Sequence, residues 1–388
     1  MSGPYTPLER STIDFEPVDR LLFGAGRLQE IGQVAQKLGC KRTLLVTDPG
    51  IIGAGHVDVA LIALRQVEIE PVLFDQVEEN PTTEHVARAL DVARKHHIDS
   101  IIGIGGGSSM DCAKGVNFLY TNGGKMEDYW GVGRASKPML PSIGVPTTAG
   151  TGSETQSFAL ISDSNSHQKM ACGDKKAAFR AVILDADVTE SMPGDVRAST
   201  GIDAISHALE SFVTRPRNPV SQAFSRESWR LLAGHFESAM SDSGDQYSRA
   251  GMLLGASLAG LAIEHSMLGA AHSLANPLTA RYGIVHGVAI GLMLPHVVRY
   301  NGTECRDDYG ELARIVSADA AVDSVDSVAR LVERFRERAG LPSSLRDVGV
   351  DEASLSELAR EAASQWTAQF NPKPVTVTEM EDLYRCAL

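Results

Sequence analysis

Residues 100–114 read SIIGIGGGSSMDCAK, and the order of residue types in that stretch sets the fold class of the N-terminal half. An apolar run ending at Ile104 is followed by Gly105, Gly106 and Gly107, then by Ser108 and Ser109, and then by a helix-forming segment. A strand that passes through glycine into a helix is the joint of a βαβ unit. Glycines let a backbone approach a phosphate closely, and the first turn of the helix offers unsatisfied N–H groups at the positive end of its dipole. The same glycines also serve a tight strand-to-helix turn with no ligand. The segment is neither G-x-G-x-x-G at the first βα unit nor a Walker loop, since no Gly-Lys-Ser/Thr follows.

On both sides of this stretch the pattern repeats. Apolar runs at 42–47 (RTLLVT), 71–74 (PVLF) and 142–145 (SIGV) alternate with helix-patterned segments at 57–66, 82–96 and 109–119. Such alternation predicts a parallel sheet, and runs without strict polar alternation fit strands covered on both faces. Residues 146–154, PTTAGTGSE, follow the last of these runs directly. Thr147, Thr148, Thr151 and Ser153 therefore fall at the carboxyl edge of the sheet, where ligands bind in open α/β folds, although a plain polar loop has the same composition. Asp48 ends the 42–47 run. An acidic residue there accepts hydrogen bonds from ribose hydroxyls and repels a 2′-phosphate; before Pro49 and Gly50 it also suits a turn.

Beyond about residue 190 strand-like runs stop and long Ala/Leu/Glu/Arg-rich helices are predicted at 195–213, 220–239, 246–263, 323–339 and 351–365. Asp323 reads as an N-cap with Asp326 in the first turn, and Gly340 and Pro342 close that helix. The most apolar stretches, 250–263 and 282–298, read as buried core helices: the first is too short to span a bilayer, and the second carries His286, Pro295 and His296. Pro193-Gly194 punctuates the change of texture. The predicted domains are an α/β nucleotide-type domain, 1–190, and an all-helical domain, 191–388.

Composition narrows the function. At 388 residues, with 43% hydrophobic and 22% charged residues, the chain has the make-up of a folded globular protein. Its net charge of −13 disfavours contact with phosphate backbones, so a nucleic-acid partner is not expected. Five scattered cysteines without a C-x-x-C pair fit a reducing compartment, and the N-terminus shows no basic segment followed by an apolar one. A cytoplasmic protein with no membrane partner is expected.

The chemistry concentrates in the helical half. Asp203 and His207, within GIDAISH, stand at i and i+4, one turn apart on one helix face. His272 and His286 lie in GAAHSLANPLTARYGIVHGVA, which Pro277 and Gly283 divide into a helix–turn–helix. One carboxylate with three neutral imidazoles makes a site for Fe(II) or Zn(II), and an open coordination position lets such an ion act as a Lewis acid on a substrate oxygen. A D-x-x-x-H pair is also a common surface ion pair. His265 and His296 share the apolar setting of His272 and His286, so spacing alone does not choose among them.

Taken together, GGGSSMDCAK (105–114), PTTAGTGSE (146–154), GIDAISHALES (201–211) and AAHSLANPLTARYGIVHGVAIGLMLPHVVRYN (270–301) closely resemble the iron-containing, group III alcohol dehydrogenases. The resemblance implies a Rossmann-like N-terminal domain and a helical C-terminal domain, the dehydroquinate-synthase-like fold. It implies a metal-dependent, NAD(P)-linked alcohol dehydrogenase or aldehyde reductase that moves hydride between a small primary alcohol and the nicotinamide, working as a homodimer. Gly105, Gly106, Gly107, Ser108 and Ser109 match its pyrophosphate loop, and Thr147, Thr148 and Thr151 its nicotinamide-side loop. Asp48, Asn80 and Lys169 match further nucleotide contacts, with Asp48 favouring NAD over NADP. Asp203, His207, His272 and His286 match its metal ligands, for Fe(II) or alternatively Zn(II).

Two positions depart from the pattern. Asn276 stands where some propanediol-type relatives have a further active-site histidine, and Phe158 replaces a polar pocket residue, so no particular substrate carries over. No general base is identified, and His265 is read as a supporting residue two helical turns before His272. The competing readings are a hydroxyacid–oxoacid transhydrogenase with tightly held nucleotide, a dehydroquinate-synthase-like lyase, and a non-catalytic scaffold or filament subunit.

Overall fold

Residues 15, 20–166, 168–241, 245–317 and 324–388 are described by a computed structural model, and they fall into two compact units. One lies within Glu16–Met192; the other is Pro193–Leu388, which Phe15 joins.

The first unit is built on nine strands among the described residues: β1 (Leu21–Phe23), β2 (Arg42–Val46), β3 (Glu70–Phe74), β4 (Ser100–Gly105), β5 (Gly131–Val132), β6 (Ser142–Pro146), β7 (Phe158–Ser162), β8 (Lys169–Gly173) and β9 (Ala181–Leu184). Six form a parallel sheet in the order β1-β9-β6-β4-β2-β3. Its helices are α1 (Ile31–Lys37), α2 (Pro49–Gly53), α3 (His56–Gln66), α4 (Thr83–His96) and α5 (Gly107–Asn122). β4 is buried at every residue, as expected of a central parallel strand with both faces covered. Ile102 and Ile104 pack in one cluster with Leu45, Ile143 and Val145 of the neighbouring strands and with Ile31, Val34, Ala60 and Leu64 of α1 and α3. The intervening position, Gly103, points the other way: a Cβ there would lie 3.3 Å from Ala113 and Met110, so glycine lets α5 close on the sheet.

Chain direction around β2 sets the site. The chain runs from β2 to β3 on one side and returns to β4 on the other, so connections diverge between β2 and β4. That divergence is the switch point of an open α/β sheet, and the crevice outside its strand ends is where ligands bind. Asp48 follows β2 and the triple glycine closes β4, both at this point.

The four expected strands and three expected helices of this half are present, but the expected pattern is incomplete. A second sheet, β5-β8-β7, has β7 antiparallel to β8. β7 and β8 are only partly buried, with Leu160 and Lys169 exposed, so neither strand is covered on both faces. β1 and β9 are only three and four residues long.

The second unit holds α6 (Gly194–Val213), α7 (Pro219–Ala239), α8 (Gln246–Glu264), α9 (Ala270–Tyr282), α10 (His286–Asn301), α11 (Arg306–Val316), α12 (Ser324–Arg338), α13 (Leu355–Ser364) and α14 (Val377–Ala387). α6 is buried along most of its length and packs against α7, α8 and α10. The run 282–298 is not one helix. The chain turns at Gly283 (φ 66°) and restarts at His286, whereas Pro277 stays inside α9. The N-cap expected at Asp323 lies outside the described residues. Among the described residues no helix is long and apolar enough to cross a membrane.

Candidate active site

In the first unit, α5 begins beside the crevice with no side-chain cap on its first N–H groups. Gly105 has φ 150°, and a Cβ there would stand 2.4 Å from Ser109 Oγ and 3.2 Å from Asp48 Oδ2. Gly106 and Gly107 face Thr148 and Thr151: added Cβ atoms would come within 3.4 and 2.8 Å of their methyl groups. Thr147 N donates to Gly105 O at 2.9 Å, while its buried Oγ1 finds no hydrogen-bond partner among the described residues. Asp48, Gly105–Ser109, Thr147, Thr148 and Thr151 thus form one cluster, with 106–108 half-buried at its surface. Uncapped N–H groups beside close-packed glycines fit a pyrophosphate.

Asp48 also accepts from Ile51 N at 3.1 Å and caps α2, so the turn role and the crevice position coincide in one residue. Asn80, in the left-handed region at φ 54°, forms a separate pair with Lys169, whose Nζ donates to Asn80 Oδ1 at 3.5 Å. Further along the glycine-loop motif, Lys114 is structural. Its buried ammonium donates to Ser153 O (2.6 Å), Ser153 Oγ (2.9 Å) and Phe158 O (2.7 Å), tying α5 to the threonine loop. Phe158 lays its ring over Gly173, its partner across the β7–β8 pair.

In the second unit α6 and α9 bring Asp203, His207 and His272 within reach of one ion, and α10 sets His286 at the edge of this group. Asp203 Oδ1 lies 3.4 Å from His207 Nε2, 3.5 Å from His272 Nε2 and 3.8 Å from His286 Nε2. His207 and His272 approach Nε2 to Nε2 at 3.1 Å with their rings stacked. Asp203, His207 and His272 are buried; His286, at the first turn of α10, keeps a third of its side chain exposed. Gly287 makes this approach possible. A Cβ there would fall 1.9 Å from Ser199 O, one turn before Asp203 on α6, so α10 starts in backbone contact with α6.

Metal–nitrogen bonds of about 2.0–2.1 Å place tetrahedral donors about 3.3 Å apart, close to these separations. Among the described residues Asp203 Oδ1 is buried and finds no hydrogen-bond partner, the state of a ligand atom left for an ion. Burial alone pushes the Asp203 carboxyl up, but the imidazoles of His207, His272 and His286 outweigh it and hold the group well below the usual carboxylate range. Burial likewise pushes His272 down, yet Glu210 and Asp203 together hold it up to about 9.

Glu210 is the residue that the sequence reading missed. Its Oε2 stands 2.5 Å from His272 Nδ1, and its Oε1 accepts from Ala271 N at 2.8 Å. The signal was available: Asp203, His207 and Glu210 stand at i, i+4 and i+7 on α6. The spacing read for His265, two helical turns before His272, is not met. His265 lies at the C-terminal end of α8, on a different helix from His272, with its ring against Phe15. Asn276 donates to Gln365 Oε1 at 3.1 Å.

Comparison with known proteins finds one family across both units of the chain. Residues 18–186 match the family described as iron-containing alcohol dehydrogenase, and 197–388 match the C-terminal family of the Fe-containing alcohol dehydrogenases. The chain is 35% identical to alcohol dehydrogenase 4 of Schizosaccharomyces pombe over 95% of its own length and 87% of that protein's. It is 30% identical to the NAD-dependent methanol dehydrogenase of Bacillus methanolicus, over 95% of this chain and 97% of that one. A crystal structure of 1,3-propanediol oxidoreductase superposes with a TM-score of 0.94 at 31% identity, covering 97% of this chain and 100% of the other.

Proposed function

The chain belongs to the iron-containing alcohol dehydrogenase family, and from that premise we propose that it is a metal-dependent, NAD-linked alcohol dehydrogenase or aldehyde reductase acting on a small primary alcohol or its aldehyde. Fe(II) and NAD are the cofactors of this family. The observation that carries the reading is the convergence of Asp203 Oδ1 with three imidazole Nε2 atoms. Asp203, His207, His272 and His286 would hold Fe(II), or Zn(II) in its place. A bound divalent ion supplies Lewis acidity toward a substrate oxygen.

The protein's own residues do the rest. The uncapped start of α5 and the glycines 105–107 receive the pyrophosphate and Ser108 adds a hydroxyl donor, while Ser109 steadies Asp48 from the first turn of α5. Thr147, Thr148 and Thr151 line the loop on the nicotinamide side. Asp48 accepts from the ribose hydroxyls and disfavours NADP, and Asn80 and Lys169 complete the nucleotide contacts. The substrate class rests on relatives named for methanol and for 1,3-propanediol. Five free cysteines, four of them buried, support a reducing, cytoplasmic setting, and a homodimer completes the reading.

Anaerobic assay of the metal-loaded protein with NAD against a panel of primary alcohols, and with NADH against their aldehydes, tests this directly. Turnover with at least one short primary alcohol is expected. Turnover only when a hydroxyacid and an oxoacid are supplied together, with nucleotide retained through purification, would replace it with transhydrogenation.

A further inference from the structure

We propose that Glu210 is a positioning residue for the metal centre, fixing the ring of His272 through Nδ1 so that Nε2 faces Asp203 and His207. The inference rests on the metal-site reading above and extends it to a residue outside the ligand set.

An imidazole offers a lone pair at only one nitrogen, and the partner of the other nitrogen decides which. Nδ1 of His272 is 2.5 Å from Glu210 Oε2, so the ring, once neutral, keeps its proton on that side and gives up the Nε2 proton to an incoming ion. Nε2 lies 3.5 Å from Asp203 Oδ1 and 3.1 Å from His207 Nε2, which is the direction a ligand must take. At 100° per residue, Asp203, His207 and Glu210 fall within about 60° of one another on α6. One helix therefore supplies two ligands and the support for a third.

Glu210 also anchors the backbone that carries His272. α9 starts at Ala270 after Gly269, which has no capping side chain of its own. Two residues from elsewhere satisfy the orphan N–H groups: Asn371 Oδ1 accepts from Ala270 N (3.2 Å) and Glu210 Oε1 from Ala271 N (2.8 Å). A Cβ on Gly269 would stand 2.9 Å from Asn371 Oδ1 and 3.1 Å from Glu210 Oε1, so glycine leaves room for both. One oxygen of Glu210 sets the backbone and the other sets the ring.

Capping alone would also explain a carboxylate here, and the test separates the two roles. Co(II) and Zn(II) affinities of the metal-free protein are measured by chelator competition for wild type, Glu210→Ala, Glu210→Gln and Asn371→Ala. Removing a partner of this kind lowers metal affinity about 10–100-fold, and that loss is expected for Glu210→Ala. Glu210→Gln keeps an oxygen for Ala271 N and gives a smaller loss, about 10-fold, with the fold intact. Asn371→Ala removes the neighbouring cap, together with the side-chain bonds of Asn371 to Asn301 and to Lys373 O, but touches no bond to the His272 ring; it lowers Tm without an equal loss of affinity. In Zn(II)-loaded wild type, the His272 Nδ1 proton should give a slowly exchanging downfield NMR resonance, shifted in Glu210→Gln.

Wild-type affinity in Glu210→Gln with an unshifted resonance would overturn the role of Glu210 and leave the metal site standing. Equal losses in Asn371→Ala and Glu210→Ala would reduce Glu210 to a cap. If the wild type takes up neither ion, the metal reading fails and this inference falls with it.

Discussion

Ser109 Oγ donates to Asp48 Oδ2 at 3.4 Å, joining the first turn of α5 to the end of β2 where the sheet's connections diverge. A carboxylate at that point disfavours a 2′-phosphate. Asp48→Gly should raise NADP use relative to NAD by at least about tenfold in kcat/KM, the discrimination expected from removing one repulsive contact of about 1.4 kcal/mol. Steady-state kinetics with both nucleotides checks this, and an unchanged ratio would remove Asp48 from the ribose.

Gly287 against Ser199 makes a second, steric prediction. Gly287→Ala places a methyl group where the carbonyl of Ser199 lies, 1.9 Å away, and must push the start of α10 off α6. A loss of about 1–3 kcal/mol is expected from such overpacking, together with weaker metal binding through His286. Gly194→Ala is the control: nothing stands within 4 Å of its Cβ position, and stability should hold. Urea unfolding and metal titration of the two variants decide it.

Lys114 should prove indispensable to the fold rather than to chemistry. Its ammonium is buried, 3.8 Å from Asp111 Oδ1, and serves two backbone carbonyls. Lys114→Met leaves those carbonyls and Asp111 without their cation, at a cost of about 3–5 kcal/mol. Chemical denaturation would show it; a near-neutral result would mean that water or a neighbour replaces the ammonium.

The charge on His272 gives the metal-free protein a pH signature. Its folded value of about 9 lies above the ordinary histidine value, so the protonated form stabilises the fold. That contribution is complete below about pH 6.5 and is lost as pH rises through about 9. Tm of the metal-free wild type should therefore fall across this interval more steeply than that of His272→Gln. Parallel curves would contradict it.

Much of this was legible in the chain itself. β2, β4 and β6 read as strands because parallel strands covered on both faces leave unbroken apolar runs. β7 and β8 did not, because FALIS and KMACG each expose part of one face in a small antiparallel pair. The aspartate–histidine pair on α6 was visible from its helical spacing. Helical spacing puts Glu210 on the same face as that pair, but its role depends on which helix packs opposite, and periodicity within α6 does not encode α9. His265 misled for the complementary reason: seven residues suggest two helical turns only if no turn intervenes, and the chain breaks between α8 and α9.

The central claim is that Asp203, His207, His272 and His286 hold one divalent ion on which NAD-linked turnover depends. Anaerobic titration of the metal-free protein with Fe(II), following NADH formation from a short primary alcohol at each addition, tests it most directly. Activity should rise linearly from near zero and break at one ion per chain, with no rise in Asp203→Ala. Full activity in the presence of a strong chelator, or an equal rise in Asp203→Ala, would contradict it.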